Sequence, residues 1–519
     1  MNGNNVEQWD IFEIEFEGPG TGNPFLEVQL EAEFQLGDQT FSPSGFYDGD
    51  GVYRIRFMPN KIGVWKYVTR SNRPELNGIS GEFTCTAPSA NNHGPVYVQN
   101  TFHFAYADGT PYYPFGTTCY AWTHQGDVLE EQTLATLKEA PFNKMRMCVF
   151  PKHYPWNKNE PIYYPFERNE AGESDFTRFN PEFFRHFEKR LGQLGELGIE
   201  ADIIIWHPYD RWGYAQMDEE TDFRYLRYLI ARLSAYRNVW WSLANEYDFM
   251  LGYKPMERWD RFFEILQCED PYQHLRSIHN GLPEAMYDHT KPWVTHVCLQ
   301  HPDIKQVVEW RRAFGKPIIN DELEYEGNIP YPWGGISAEE EVHRFWIMVV
   351  NGGYAGHGET YLHPEDILWW SKGGVLHGES WKRIGFLREI LEQAPAGGLS
   401  PQRGADSKLL GDHPFTNYLW SRYSGGRNGD FYLVYVENYQ PKLLPVWLSE
   451  GEYEIDIIDT WEMTITPAKV NKLSSSLPYG YDFPDETVLT HEIELPGKPY
   501  LAIRIRPCSA EAKSALSEN

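Results

Sequence analysis

From residue 96 to residue 395 the chain repeats one pattern, a short apolar run followed by a segment with helical periodicity. The apolar runs fall at 113–119, 144–150, 201–206, 239–244, 275–279, 294–299, 317–320 and 353–356. Between them, Phe183, Phe184, Phe187 and Leu191, and later Phe223, Leu226 and Ile230, recur at the spacing of a helix buried along one face. A strand that feeds a helix returns as a parallel neighbour. Eight such units in roughly 300 residues are the count and length of a (β/α)8 TIM barrel. A doubly wound sheet shares this texture, but no glycine-rich phosphate loop follows any of the runs.

The flanks read differently. In residues 1–90 the apolar positions alternate with a period of two: Phe12, Ile14 and Phe16, then Leu26, Val28, Leu30, Ala32 and Phe34, then Tyr53, Ile55 and Phe57. That is the signature of half-buried antiparallel strands, and it predicts an immunoglobulin-like β-sandwich. Asp48-Gly49-Asp50-Gly51 reads as a tight hairpin turn rather than a calcium loop. A Pro/Gly-rich break at 394–401 ends the barrel pattern, and strand patterns return at 431–436, 453–457 and 500–505. The expected architecture is thus α/β, a barrel over 96–395 between an N-terminal sandwich and a second β-sandwich over 400–510, with a polar tail after Pro507.

Charge narrows the partners. Lys+Arg number 46 against 74 Asp+Glu, a formal charge of −28, and there is no basic run. Nucleic acid, an anionic membrane and a polyanionic glycan would all be repelled. No apolar run approaches membrane-spanning length, and the chain opens without a basic or apolar leader pattern, so a cytoplasmic protein is expected. Six scattered cysteines, none in a C-x-x-C pair, fit reduced thiols.

In a barrel of this kind chemistry gathers where the strands end. The run 239–244 ends in Asn245-Glu246, and Lys316-Pro-Ile-Ile-Asn-Asp-Glu322 places a second carboxylate at the end of the seventh run. Strands four and seven face each other across the mouth, so both groups point into one cleft. Acetal cleavage needs such a pair: an acid to protonate the leaving oxygen, and a carboxylate on the opposite face of the ring. A separation of about 5–5.5 Å gives retention and about 6.5–9.5 Å gives inversion. The ionised Glu322 is expected to keep Glu246 protonated.

These strand ends resemble those of the clan A (β/α)8 glycoside hydrolases. More closely, Glu322-Leu-Glu-Tyr325-Glu326-Gly327 and the first strand, Tyr113-Pro-Phe-Gly-Thr-Thr118 through Trp122, are similar to the apiosidase-like group. Phe57-Met-Pro-Asn-Lys-Ile-Gly-Val-Trp65-Lys-Tyr67 resembles the β-domains attached to some of its members. The resemblance implies that Glu246 is the acid/base, Glu322 the nucleophile and Asn245 a contact to the sugar 2-hydroxyl. It also implies that Arg146 holds the nucleophile. The group's strand-four acid is an Asp, whereas Glu246 stands here, so apiose is not carried over as the substrate sugar.

Other strand ends supply candidate sugar contacts: His207, His279, Gln300, His301 and His357, with Tyr325 and Glu326 after the seventh strand and Trp122 and Trp370 as stacking platforms. His296-x4-His301 is too loose for a metal site, and no metal or cofactor is expected. The expected activity is hydrolysis of O-glycosidic bonds in oligosaccharides by a retaining double displacement. Long loops after strands two and seven that could wall off the cleft favour exo action. The rival from another class is a non-catalytic carbohydrate-binding protein, which has no use for the carboxylate pair.

Overall fold

The computed structural model describes residues 5–364, 367–402, 422–446, 448, 451–472 and 491–508. Eight parallel strands form the centre: β1 (Phe115–Thr118), β2 (Lys144–Cys148), β3 (Glu200–Trp206), β4 (Val239–Ala244), β5 (Arg276–Ser277), β6 (Val297–Gln300), β7 (Ile318–Glu322) and β8 (Tyr354–His357). Hydrogen bonding runs β5-β4-β3-β2-β1-β8-β7-β6, a barrel closed except for a seam between β5 and β6. The seam has a local cause. The segment between those strands carries Gly281, Pro283 and Pro292, and proline removes donors that either a helix or a longer strand would need. Accordingly β5 is two residues long, shorter than the expected 275–279 run, and no helix follows it.

Helices follow the other seven strands: Asp127–Glu139, Pro181–Glu196, Glu219–Leu233, Met256–Glu269, Val307–Phe314, Ala338–Val350 and Ser380–Glu392. Three of them start at side-chain caps, where Asn180, Asp218 and Ser337 accept N–H groups of the first turn. β1 starts later than the apolar run predicts because Pro111–Tyr112 pairs instead with His103–Tyr106. Phe104 and Tyr112 of that small sheet pack on Trp240 near the start of β4, covering the end of the barrel opposite the mouth. At the packed centre, Lys144 Nζ stands 2.7 Å from Asp202 and 2.8 Å from Asp321, all three fully buried.

Two further β-units flank the barrel. The first pairs a five-stranded and a three-stranded sheet around Phe34, Phe57, Trp65 and Phe83. Its turn at Asp48–Gly51 is a hairpin, with Val52 N–H donating to Gly49 C=O at 2.8 Å. The other joins a six-stranded and a three-stranded sheet around Val434, Ile455, Ile493 and Ile503. The tail from residue 509 lies outside the described residues. Among them no helix is long and apolar enough to cross a membrane.

Candidate active site

β4 delivers Glu246 through an unusual backbone step. The strand ends at Ala244, and Glu246 adopts φ 57° and ψ 54°, a left-handed conformation that costs a non-glycine residue about 1–3 kcal/mol. Its neighbours hold it there. Asn245 N–H donates to Trp206 C=O and Tyr247 N–H to His279 C=O. Asp248 accepts the N–H groups of Gly281 and Leu282 at 2.6 and 3.0 Å, tying the β4 and β5 loops together. A side chain at 281 would meet the Phe249 ring at 2.7 Å and Glu246 Cβ at 3.1 Å, so glycine is what lets this loop approach.

β7 presents Glu322 to the same cavity, which has a volume of about 460 Å³. Glu322 Oε1 accepts the Tyr120 hydroxyl and lies 3.5 Å from Arg146 Nη1. Arg146 Nη2 donates to Asn245 Oδ1 at 3.1 Å, and the Tyr120 hydroxyl oxygen lies 2.9 Å from the same Oδ1. A buried guanidinium and a phenol therefore tie together the ends of β1, β2, β4 and β7. His279, two residues past β5, is fully buried, with Nε2 3.9 Å from Glu322 Oε1. Burial and the surrounding cations Arg146, Lys152 and Lys144 hold its pKa well below the usual histidine range, so it is neutral.

The two carboxyl groups experience different surroundings. Burial, then the charge of Glu322, pushes the Glu246 pKa up to about 7, against the opposing pull of Lys152 and Tyr209. Glu322 is met by a hydroxyl donor and a guanidinium, the partners of a carboxylate in its charged form. One site thus sets a carboxyl group that burial keeps from ionising readily beside one that a guanidinium and a phenol contact.

Of the residues expected here from sequence, Asn245, Gln300, Tyr325 and Trp370 line the cavity with the two glutamates, and Arg146 and His279 lie directly behind them. Gln300 Nε2 donates to Gly281 C=O and Tyr325 OH to Asp321 C=O. Five expected contacts lie elsewhere. Trp122 is wholly buried, its Nε1 donating to Met147 Sδ, and is core rather than platform. His207 Nε2 contacts Phe150 C=O, and burial holds its pKa down at about 3. His357 contacts Thr117 Oγ1 and stacks on Phe142, with ring centres 4.7 Å apart. His301 packs on Trp310 and accepts Asp303 N–H through Nδ1. Glu326 turns away from the cavity to cap the last helix, accepting the N–H groups of Glu379 and Ser380, each at 2.9 Å.

Residues not expected complete the walls: Tyr120, Lys152, Tyr154, Trp156, Tyr209, Tyr331 and Trp333. All lie beyond strand ends, where periodicity carries no information about side-chain direction. Trp156 meets Tyr331 edge-on at 6.2 Å, Tyr331 stacks on Trp333 at 5.9 Å, and Trp333 reaches Trp370 at 5.1 Å. This aromatic wall joins the loops after β2, β7 and β8.

Comparison with known proteins agrees with the geometry. Residues 98–395 match the family described as apiosidase-like, catalytic domain, while 5–72 and 420–506 match two domains of unknown function, DUF5060 and DUF5605. None of the curated proteins compared with the chain matches it. Among solved structures, a candidate glycoside hydrolase from Bacteroides vulgatus is 39% identical with a TM-score of 0.87, covering 97% of this chain and 100% of its own. A family 5 glycoside hydrolase from the same organism shares the fold at 16% identity and a TM-score of 0.58, covering 80% of this chain and 93% of its own. With more than half its length matched by that catalytic domain, on a barrel that glycoside hydrolases share, the chain belongs to the apiosidase-like family of glycoside hydrolases.

Proposed function

We propose that the protein cleaves O-glycosidic bonds with retention of configuration, removing sugar units from the end of short oligosaccharides. The observation that carries this reading is the unlike pair in one cavity: Glu246, with its pKa raised to about 7, facing the charged Glu322. In the first step a Glu322 oxygen bonds to the anomeric carbon as the glycosidic C–O bond breaks, and the Glu246 proton passes to the leaving oxygen. In the second step a water gives its proton to Glu246 while its oxygen bonds to the anomeric carbon, and the ester to Glu322 breaks. Two inversions leave the configuration unchanged. The aromatic wall from Trp156 to Trp370 supports end-on cleavage, because it closes one side of a cleft that a polymer would have to cross.

The test uses two variants. E322Q should abolish turnover, a loss of about 10⁴-fold or more, with the fold intact. E246Q should lose activity on natural substrates but keep much of it on aryl glycosides with activated leaving groups, which need little protonation. With E246Q and azide, the glycosyl azide should keep the starting configuration by proton NMR. Wild-type enzyme should release single sugars from one end of an oligosaccharide. An inverted azide product would overturn retention, a ladder of internal fragments would overturn exo action, and full activity in E322Q would overturn the whole assignment.

A further inference from the structure

Lys152 is the one cation that lines the cavity among the described residues; its charge pulls the Glu246 pKa down, and the catalytic scheme gives it no further task. It follows β2, is 1% exposed, and is enclosed by aromatic faces. Its Nζ lies 3.5 Å from the ring centre of Tyr120, 4.5 Å from Tyr209, 4.6 Å from Tyr154 and 5.5 Å from Trp370. Aromatic faces attract an ammonium without satisfying its hydrogen bonds, and no carboxylate among the described residues comes within ion-pair distance of it. Other buried lysines in this chain differ in this respect. Lys144 is held between Asp202 and Asp321, and Lys254 lies 2.6 Å from Asp222.

A buried ammonium with ring faces around it, favoured only at longer range by the charges of Glu246 and Glu322 and opening onto a ligand cavity, has room for a direct anionic partner. Glu322 acts on Lys152 only at longer range, without an ion pair at contact distance, and its Oε1 is turned to Tyr120 and Arg146. The cage also fixes where the ligand group must be. Tyr120 is at once the floor under Lys152 and the donor to Glu322, so the ammonium stands on the side of the nucleophile and the sugar under attack.

We propose that Lys152 is the specificity-determining residue for that sugar, and that it selects an acidic one, a uronic acid whose carboxylate pairs with Nζ inside the cage. The chain's charge of −28 does not oppose this. A long polyanion would feel the whole surface, whereas a single uronate meets Lys152 in a cavity, and exposed charges beyond about 8 Å are screened at physiological salt. The pairing also offsets the burial that lowers the Lys152 pKa, since an adjacent carboxylate favours the ammonium.

The inference rests on the glycosidase reading for the position of the sugar, and its test is binding rather than turnover. D-glucuronate and D-galacturonate are titrated against D-glucose and D-galactose into the full chain, followed by tryptophan fluorescence, for which Trp156, Trp333 and Trp370 are reporters in the cavity wall. At least one uronate should bind tenfold or more tightly than its parent hexose, with the margin shrinking as salt rises. K152M, whose apolar side chain suits the cage, should erase the margin, and K152R should keep part of it. A wild-type protein that does not favour either uronate, or a margin that survives in K152M, would overturn the proposal. The same titration on E322Q separates the two readings: the margin should persist there whether or not Glu322 proves to be the nucleophile.

Discussion

A carboxyl group that must give up a proton near neutral pH has first to be kept from ionising. At Glu246, burial and the charge of Glu322 do this, moving the pKa from 4.5 to about 7. The folded chain therefore binds this proton more tightly than the unfolded chain. The resulting contribution to stability is fully present below about pH 4.5 and is lost as pH rises through about 7. At about 1.4 kcal/mol per pKa unit, the ionised group costs on the order of 3 kcal/mol. E246Q is thus expected to be more stable than wild type at about pH 8, by roughly 1–3 kcal/mol in denaturant titrations, with the gap closing toward about pH 5. Over the same range, wild-type kcat/KM on a poor leaving group should fall as Glu246 ionises, while hydrolysis of an activated aryl glycoside should not. A gap independent of pH would show that Glu246 is not held protonated. The location of site residues was legible where a strand pattern ended in an acid, as at Asn245-Glu246 and Glu322, whereas Arg146 was reached only through the family resemblance. Tyr120 and Lys152 were not legible. They lie past the ends of β1 and β2, where loop geometry alone decides that one phenol bridges two strand ends and one lysine enters a ring cage.

The helix Ser380–Glu392 shows how an element can claim residues that seem destined for the site. Its first turn is gripped by buried acids. Glu326 accepts the Glu379 and Ser380 N–H groups, Glu359 accepts those of His377 and Gly378, and Glu341 accepts the Ser380 hydroxyl. Negative groups at a helix N-terminus satisfy donors that the helix itself cannot. The proximity of these acids has a cost, since burial and the charge of Glu326 raise the Glu341 pKa well above the usual carboxylate range. In E326A, two backbone donors and the Tyr361 hydroxyl lose an acceptor, against partial relief at Glu341. The expected net loss is about 2–3 kcal/mol of stability, with kcat/KM unchanged at temperatures where the variant is folded. A drop in kcat/KM with unchanged thermal stability would instead place Glu326 on the substrate. From sequence, Glu326 and a cavity-lining residue such as Tyr325 look alike, because both closely follow β7. The backbone turns just before both, with Glu324 at φ 78°, and which of the two adjacent side chains then faces the cavity cannot be read from residue types. The βα rhythm itself was legible over most of the barrel, and it failed at β5, where two prolines removed the helix.

Across the whole molecule, the first β-unit is joined to the barrel by charges as well as by apolar contact. Arg56, on a strand of the N-terminal unit, donates to Glu188 Oε2 at 2.9 Å and to the backbone carbonyl of Arg232 at 2.8 Å. Arg232 in turn pairs with Glu188 and, at 2.8 Å, with Asp48 of the N-terminal hairpin turn. The turn predicted at Asp48–Gly51 is therefore also an anchor, a role its Asp-Gly composition could not reveal, because the partner lies 184 residues away. Burial alone would raise the Glu188 pKa, yet the guanidinium groups of Arg232 and Arg56 bring it down to about 2. With the folded value below the unfolded 4.5, the stabilisation is present above about pH 4.5 and is lost only as pH falls through about 2. E188Q removes the charge between two buried arginines, and breaking such a pair by removing one partner costs about 3–5 kcal/mol. Because the titration of Glu188 is complete well below neutrality, the gap between wild type and E188Q should stay constant from about pH 6 to pH 8, unlike the gap at Glu246. None of these residues lines the cavity, so kcat/KM below the melting transition should not change. Denaturant titrations of the two proteins across that pH range, beside initial rates on one aryl glycoside, decide the matter. A gap that varies with pH would mean that another titrating group holds the two units together, and a fall in kcat/KM would mean that the N-terminal unit shapes the active site through this contact.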